Sequence, residues 1–206
     1  METTVFLIRH GVTEWHRDRR VVGQREVPLS TEGVQQAKAT AVALGHIPIG
    51  EIISSPMLRA VQTAEIIASQ FKADITRDPR LGDLRYGKWE GMSYGDVEKT
   101  PEYQRILVNL LTEQLPGGED LTQARDRSIR AIEQALRDAP AGESLAVVSH
   151  ASILRLILSH YLGTNVVDFY RIRLSPCSVS VLKFRDDREL PSVLAVGWRP
   201  ILTEVL

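Results

Sequence analysis

The 206-residue sequence has a single cysteine, Cys177, and a net charge of only −1. One cysteine excludes an intramolecular disulfide framework and any metal site built from several cysteines. The near-zero charge argues against a nucleic-acid binder that depends on a broad positive field. No apolar run is long enough to cross a bilayer, and the N-terminus lacks a signal-peptide pattern. These absences predict a cytoplasmic protein that interacts with neither nucleic acid nor membrane.

Composition and periodicity favour an α/β protein. Hydrophobic residues make up 43% of the chain and charged residues 25%, as in ordinary globular domains. Short apolar runs alternate with segments of helical spacing, which indicates a parallel sheet covered by helices. Strands are expected near 4–9, 51–55, 143–149, 178–184 and 192–197, and helices near 31–44, 56–71, 98–112, 120–139 and 152–162. We therefore expect a single domain over 1–206, a three-layer sandwich with a mostly parallel sheet, and a helical insertion or lid over about 92–140.

Chemistry-bearing residues stand where these strands end. Arg9-His10 closes the first strand, His150 follows a later one, and Arg59 lies in the first turn of a helix. Because ligands bind at the carboxyl ends of strands in open α/β sheets, these side chains are expected to converge. Two arginines and two imidazoles suit the oxygens of a phosphoryl group. Asp83 and Glu90, in the polar loop 78–95, are carboxylates that could supply a proton.

Five stretches of the chain, taken together, resemble the histidine phosphatase superfamily, in its phosphoglycerate mutase-like branch (branch 1). They are Phe6–Trp15, Gly23–Ser30, Ser54–Ala64, Tyr86–Gly91 and Val147–Ala151. They occur in the family's order over about three quarters of the chain. The resemblance implies a metal-independent phosphatase that needs no cofactor and acts on a small phosphorylated metabolite.

The resemblance also implies roles for individual residues. His10 would form a phosphohistidine, with its ring fixed by the backbone of Gly11. Arg9, Arg59 and His150 would bind the phosphoryl group, and Asp83 would be the proton donor. Thr13 and Gln24 match pocket positions of the family.

Three positions depart from the family's pattern. Asp83 stands where many members have the longer glutamate, which leaves Glu90 as the alternative donor. His16 replaces an asparagine that contacts phosphate; it could still donate a hydrogen bond or be an ordinary loop histidine. Ala151 replaces a glycine, which affects how closely the backbone can approach a ligand.

Other functions remain as alternatives to a phosphatase. A phosphoglycerate mutase primed by a bisphosphorylated cofactor would use the same histidine, and a weakly catalytic protein could bind phosphorylated ligands without turnover. The segments 82–88 and 91–95 fit the spacing of a phosphate-binding loop and of a nucleophile elbow, but neither follows an apolar strand. The apolar segment 201–206 could form a homodimer interface or a strand of the same chain.

Overall fold

The computed structural model describes residues 2–71, 73–108, 114–140 and 142–200. The strands are β1 (Glu2–Arg9), β2 (Ile49–Ser54), β3 (Asp74–Arg77), β4 (Ser144–Ser149), β5 (Val179–Arg185) and β6 (Ser192–Trp198). The α-helices are α1 (Glu14–Arg17), α2 (Thr31–Leu44), α3 (Leu58–Phe71), α4 (Tyr94–Val97), α5 (Pro101–Val108), α6 (Leu121–Asp138) and α7 (Ala151–Tyr161). Single 3₁₀ segments span Pro79–Leu81, Gly87–Trp89 and Val166–Arg171.

The strands form one sheet in the order β3-β2-β4-β1-β5-β6. The first four in this order are parallel, and β5 and β6 are antiparallel to their neighbours. The parallel strands are joined through helices, as right-handed crossovers require. The expected α/β class with a mostly parallel sheet is confirmed, with the qualification that the sheet is mixed at one side.

Successive side chains of β1 lie on opposite faces of the sheet and belong to two separate hydrophobic cores. Val5 and Leu7 pack in one core with buried residues of α6 and α7, whereas Phe6 and Ile8 pack in the other with α2 and α3. Because successive side chains of a strand point to opposite faces, a strand that is apolar at every position is buried on both. Helices therefore cover both faces of the sheet, which gives the expected three layers.

Two of the long helices begin at residues whose side chains cap them. Ser30 Oγ accepts the Gly33 amide at the start of α2, and Asp120 caps α6. The helix expected near 98–112 is instead the short α4 followed by α5, which starts at Pro101, a residue favoured in a first helical turn. Residues 109–112 of that prediction, and the apolar end 201–206, lie outside the described residues. Strand β3 and the 3₁₀ segment at 166–171 were not expected.

The segment expected to form a lid, about 92–140, has two parts with different packing. Buried residues of α6 belong to the same core as α7 and the sheet. Upstream, Val97 of α4 and Ile106 of α5 pack on Val21 and Trp89 in a small separate cluster. The lid itself stays a prediction. In the described ranges no helix is both long and apolar enough to span a membrane.

Candidate active site

The two histidines that end strands are brought together by adjacent parallel strands. Arg9 of β1 is in register with Ser149 of β4, and the His10 amide donates to the Ser149 carbonyl at 2.9 Å. The His10 and His150 rings lie 5.1 Å apart between centroids. Both side chains are buried, at 3% and 1% exposure. The carboxyl edge of the sheet thus places two imidazoles side by side.

Close backbone packing explains the glycine after His10. A Cβ on Gly11 would lie 2.6 Å from the Gly33 carbonyl oxygen, and one on Gly33 would lie 2.1 Å from the Val12 carbonyl oxygen. The Gly11 amide also donates to Thr63 Oγ1 of α3 at 3.1 Å. The turn after β1 is therefore held directly against α2 and α3, which fixes the start of the His10 side chain.

His10 is oriented as a nucleophile requires. Its Nδ1 lies 2.7 Å from the Gly11 carbonyl oxygen, which can only accept, so the ring proton is on Nδ1. Burial lowers the pKa of His10 well below 6.5, and the charges of Arg59, His150, Arg9 and His16 lower it further. The imidazole is thus neutral at neutral pH, with the lone pair of Nε2 available for attack.

Arg59 joins two loops beneath His10. Its side chain is fully buried, and its terminal nitrogens donate to the Gly23 and Arg25 carbonyls at 2.7 and 2.9 Å. Nη2 also donates to Asp83 Oδ2 at 2.8 Å. This arginine, in the first turn of α3, thereby fixes the position of the Asp83 carboxylate.

The Asp83 carboxylate lies at the centre of the polar cluster. Oδ1 accepts from the Leu84 amide at 2.8 Å and from the Ser152 hydroxyl. Oδ2 lies 3.5 Å from His150 Nδ1. The structure therefore brings Asp83 among the residues that the family's pattern assigns to phosphoryl binding.

Glu90, the alternative donor, has a structural environment. Its Oε1 accepts the Tyr86 amide at 3.1 Å, and a Cβ on Gly23 would lie 2.7 Å from its carboxylate. The carboxylate thus packs against the backbone of two loops. This favours Asp83 over Glu90 as the residue that faces a substrate.

His16 lies beside the site but has both ring nitrogens engaged. Arg9 Nη2 lies 2.8 Å from Nε2, and Thr13 Oγ1 lies 2.8 Å from Nδ1. A guanidinium only donates, so Nε2 accepts from Arg9, while Nδ1 faces the Thr13 hydroxyl and also accepts from the Thr13 amide at 3.3 Å. Burial, followed by the charge of Arg9, lowers the pKa of His16 to about 4. This geometry favours a role in orienting Arg9 over direct contact with phosphate.

The remaining predicted residues border the site. Gln24 Nε2 donates to the Asp83 carbonyl at 2.6 Å, and fully buried Thr13 hydrogen-bonds to His16. Ala151 begins α7 directly after His150. All nine predicted site residues therefore lie in or next to one cluster.

Three buried nitrogens of this cluster have no hydrogen-bond partner in the described chain: Arg9 Nε, Arg59 Nε and His150 Nδ1. Buried donors of this kind carry a large desolvation cost unless an acceptor satisfies them. An anion with several oxygens, next to the neutral His10, would meet that requirement. The arrangement can thus bind a phosphoryl group and attack it in line.

Comparison with known proteins identifies the family. The chain matches the model of the histidine phosphatase superfamily (branch 1) over residues 5–196. The chain belongs to that superfamily. It is 36% identical over 196 residues to the probable phosphoglycerate mutase GpmB of Escherichia coli, covering 94% of this chain and 89% of GpmB. The expected membership, and with it an enzyme of the histidine phosphatase type, is confirmed.

Solved histidine phosphatase structures share the whole fold. A mycobacterial glucosyl-3-phosphoglycerate phosphatase superimposes with a TM-score of 0.85 at 20% identity, over 96% of this chain and all of the other. A phosphoserine phosphatase from Entamoeba histolytica, in complex with 3-phosphoglyceric acid, gives 0.84 at 19% identity, over 95% and 96% of the two chains. At these identities the comparison establishes the fold.

Sequence reasoning missed several residues that support this histidine phosphatase site. Ser55 Oγ lies 2.7 Å from His150 Nε2, and Ser152 contacts Asp83. Buried Glu119 pairs with Arg127 at 2.6 Å, and Arg127 also donates to the Asp83 carbonyl at 3.2 Å. Ser55 lies within a family motif and Ser152 lies two residues after His150, so both could have been noticed. Nothing local in the sequence indicates the ion pair.

Proposed function

We propose that the protein hydrolyses a phosphate monoester of a small metabolite through a phosphohistidine at His10, without a metal ion. The observation that carries this proposal is the neutral His10, anchored through Nδ1 and surrounded by buried donors that lack partners. Such donors stabilise the charge that develops on the phosphoryl oxygens. The expected cytoplasmic location is part of the same proposal.

The first half-reaction transfers the phosphoryl group to the protein. His10 Nε2 attacks phosphorus, the bond from phosphorus to the ester oxygen breaks, and Asp83 gives its proton to the departing alkoxide. Asp83 is paired with Arg59, so it must become protonated before this step.

The second half-reaction returns the protein to its starting state. Asp83, now ionised, accepts a proton from water as the water oxygen attacks phosphorus and the bond from phosphorus to Nε2 breaks. Inorganic phosphate leaves, and His10 is neutral again. Arg9, Arg59 and His150 hold the phosphoryl oxygens in both steps.

The test uses two leaving groups in the presence of a chelator. Release of inorganic phosphate is measured for alkyl phosphates and for p-nitrophenyl phosphate, with wild type, His10→Ala, Asp83→Asn and Glu90→Gln. Asp83→Asn should lower alkyl ester turnover about 10²- to 10⁴-fold. It should slow phosphohistidine formation from p-nitrophenyl phosphate much less, because that leaving group needs no proton.

Two results would contradict this mechanism. One is a phosphorylated enzyme in His10→Ala at the wild-type level. The other is a greater loss in Glu90→Gln than in Asp83→Asn. Binding of phosphate esters without any turnover would instead favour the alternative of a weakly catalytic phospho-ligand-binding protein.

A cofactor-dependent mutase is the second candidate, because the 36% identical relative is named a probable phosphoglycerate mutase. It would transfer the phosphoryl group from His10 to a second hydroxyl rather than to water. Interconversion of the two phosphoglycerate isomers, dependent on bisphosphoglycerate and faster than phosphate release, would favour it. The substrate panel should include phosphoglycerate, phosphoserine, sugar phosphates and ribazole phosphate.

A further inference from the structure

Ser152 connects the first turn of α7 to the catalytic carboxylate. It is the second residue of the helix, it is only 4% exposed, and its hydroxyl donates to Asp83 Oδ1. A serine in a helix commonly donates instead to a backbone carbonyl three or four residues earlier. Here those carbonyls belong to Val148 and Ser149 at the end of β4, and each already accepts a backbone amide at 2.9 Å. The Ser152 hydroxyl is therefore directed at the carboxylate.

The two oxygens of the Asp83 carboxylate have different partners. Each oxygen of a carboxylate has about two lone-pair positions. On Oδ1 both positions are occupied, one by the Leu84 amide at 2.8 Å and one by the Ser152 hydroxyl. On Oδ2 one position is occupied by Arg59 Nη2 at 2.8 Å, and His150 Nδ1 lies farther away, at 3.5 Å. Among the described residues, Oδ2 therefore keeps a position for a proton and Oδ1 does not.

The location of that proton decides whether Asp83 can act as a general acid. Oδ2 lies on the side of Arg59 and His150, the residues proposed to hold the phosphoryl group. A proton on Oδ2 therefore faces a substrate bound there. A proton on Oδ1 would point toward the Ser152 side chain instead. General acid catalysis requires the protonated atom to be within hydrogen-bond reach of the leaving oxygen.

We propose that Ser152 is a positioning residue that confines the exchangeable proton of Asp83 to Oδ2 and so directs it at the leaving group. In the first half-reaction the bond from Oδ2 to hydrogen breaks. The proton joins the ester oxygen, which takes the electron pair of its breaking bond to phosphorus. In the second half-reaction Oδ2 accepts the proton that water releases as the water oxygen attacks phosphorus. Ser152 keeps its hydrogen bond to Oδ1 in both steps, and this inference rests on the proposed function of Asp83.

The experiment compares an ester that needs a proton with one that does not. The constant kcat/KM is measured for an alkyl phosphate and for p-nitrophenyl phosphate, because it reports only the steps up to loss of the alcohol. The ratio of the two constants is obtained on one preparation, so it does not depend on how much of a variant is folded. Ser152→Ala opens a lone-pair position on Oδ1, where the proton is unproductive. It should lower the alkyl to p-nitrophenyl ratio about 5- to 20-fold, as part of the roughly 10²- to 10⁴-fold that a general acid contributes.

Two further variants separate the hydrogen bond from packing. Ser152→Cys fills the same space with a weak donor, so its ratio should be close to that of Ser152→Ala. The second test repeats Ser152→Ala in the Asp83→Asn background. An amide has no proton to give to the leaving group, so Ser152→Ala should there change the ratio less than about twofold. A role in packing alone would give the same change in both backgrounds.

The matched control is Ser159→Ala. Ser159 is a fully buried serine of the same helix whose hydroxyl has no hydrogen-bond partner within the described ranges, and its replacement should leave the ratio unchanged. If Asp83→Asn lowers the ratio but Ser152→Ala or Ser152→Cys keeps the wild-type ratio, the positioning role is overturned and the proposed phosphatase mechanism stands. An unchanged ratio in Asp83→Asn would overturn both.

Discussion

Replacing Ser55 should test how the second histidine is oriented. The Ser55 hydroxyl lies 2.7 Å from His150 Nε2, and it also accepts the Met57 amide at 3.3 Å. The Met57 amide is itself a donor and cannot accept the hydroxyl proton. The Ser55 hydroxyl therefore donates to His150 Nε2, which acts as the acceptor. Burial lowers the pKa of His150 well below 6.5, so the ring is neutral. Its proton must then be on Nδ1, the nitrogen on the side of Asp83.

This tautomer directs a donor toward the phosphoryl group. In Ser55→Ala the hydrogen bond to Nε2 that selects this tautomer is lost and only the Asp83 carboxylate, 3.5 Å from Nδ1, still favours it. The alternative tautomer would direct a lone pair at the phosphoryl oxygens. Losing one donor to a developing oxyanion costs about 2.7 to 4 kcal/mol, and here the loss is partial because both tautomers remain accessible. We expect kcat/KM to fall about 10- to 100-fold, equivalent to about 1.4 to 2.7 kcal/mol. The buried Nε2 left without a partner should also reduce the free energy of unfolding by about 1 to 3 kcal/mol.

The matched control for this variant is Ser54→Ala. Ser54 is equally buried, but its hydroxyl donates to the Ser55 carbonyl, at 2.8 Å, and not to His150. Phosphate release and urea unfolding are measured for both variants across pH. Only Ser55→Ala should lower activity and move the acid limb of kcat/KM to higher pH, because its lost hydrogen bond had stabilised the neutral ring. Equal effects of the two variants would refute the tautomer argument.

Two further predictions concern stability. Burial lowers the pKa values of His10, His150 and His16 in the folded state, so the unfolded chain binds more protons below about pH 6.5. The free energy of unfolding should therefore fall as pH decreases from about 6.5 toward the folded-state pKa values, by up to about 1.4 kcal/mol per pH unit for each histidine. A free energy of unfolding, measured with urea, that does not change between pH 7 and pH 5 would contradict this. Gly11→Ala should destabilise the protein by about 1 to 3 kcal/mol, because its Cβ would overlap the backbone of α2. Gly95→Ala, whose Cβ has no atom nearer than 4.0 Å, is the control in thermal unfolding, and an equal change in both variants would refute the packing argument.

The sequence allowed prediction of features that depend on local pattern. Apolar runs ending in Arg9-His10 and Ser149-His150 predicted two strands with polar ends, and the structure places them side by side. The helices expected near 31–44 and 120–139 start where predicted, because Ser30 and Asp120 cap them and a cap is a local hydrogen bond. Strand β3 escaped prediction because it has four residues at a sheet edge and only Ile75 is apolar. Its assignment depends on pairing with β2, which no local pattern encodes.

Contacts between distant segments could not be predicted in the same way. His16 was read as either a phosphate contact or a loop residue, and only its partners Arg9 and Thr13 favour a third role, the orientation of Arg9.

The short carboxylate at position 83 raises the question of how its loop is placed correctly. The Asp83 carbonyl is held from two sides, by Gln24 at 2.6 Å and by Arg127 at 3.2 Å. Arg127 is itself fixed by two hydrogen bonds to buried Glu119 and by one to the Arg80 carbonyl. A buried ion pair contributes little net stability compared with an apolar pair, but it defines one geometry. An aspartate reaches less far than a glutamate, so its backbone must be placed more accurately, and these contacts from α6 and from the loop between α1 and α2 supply that constraint.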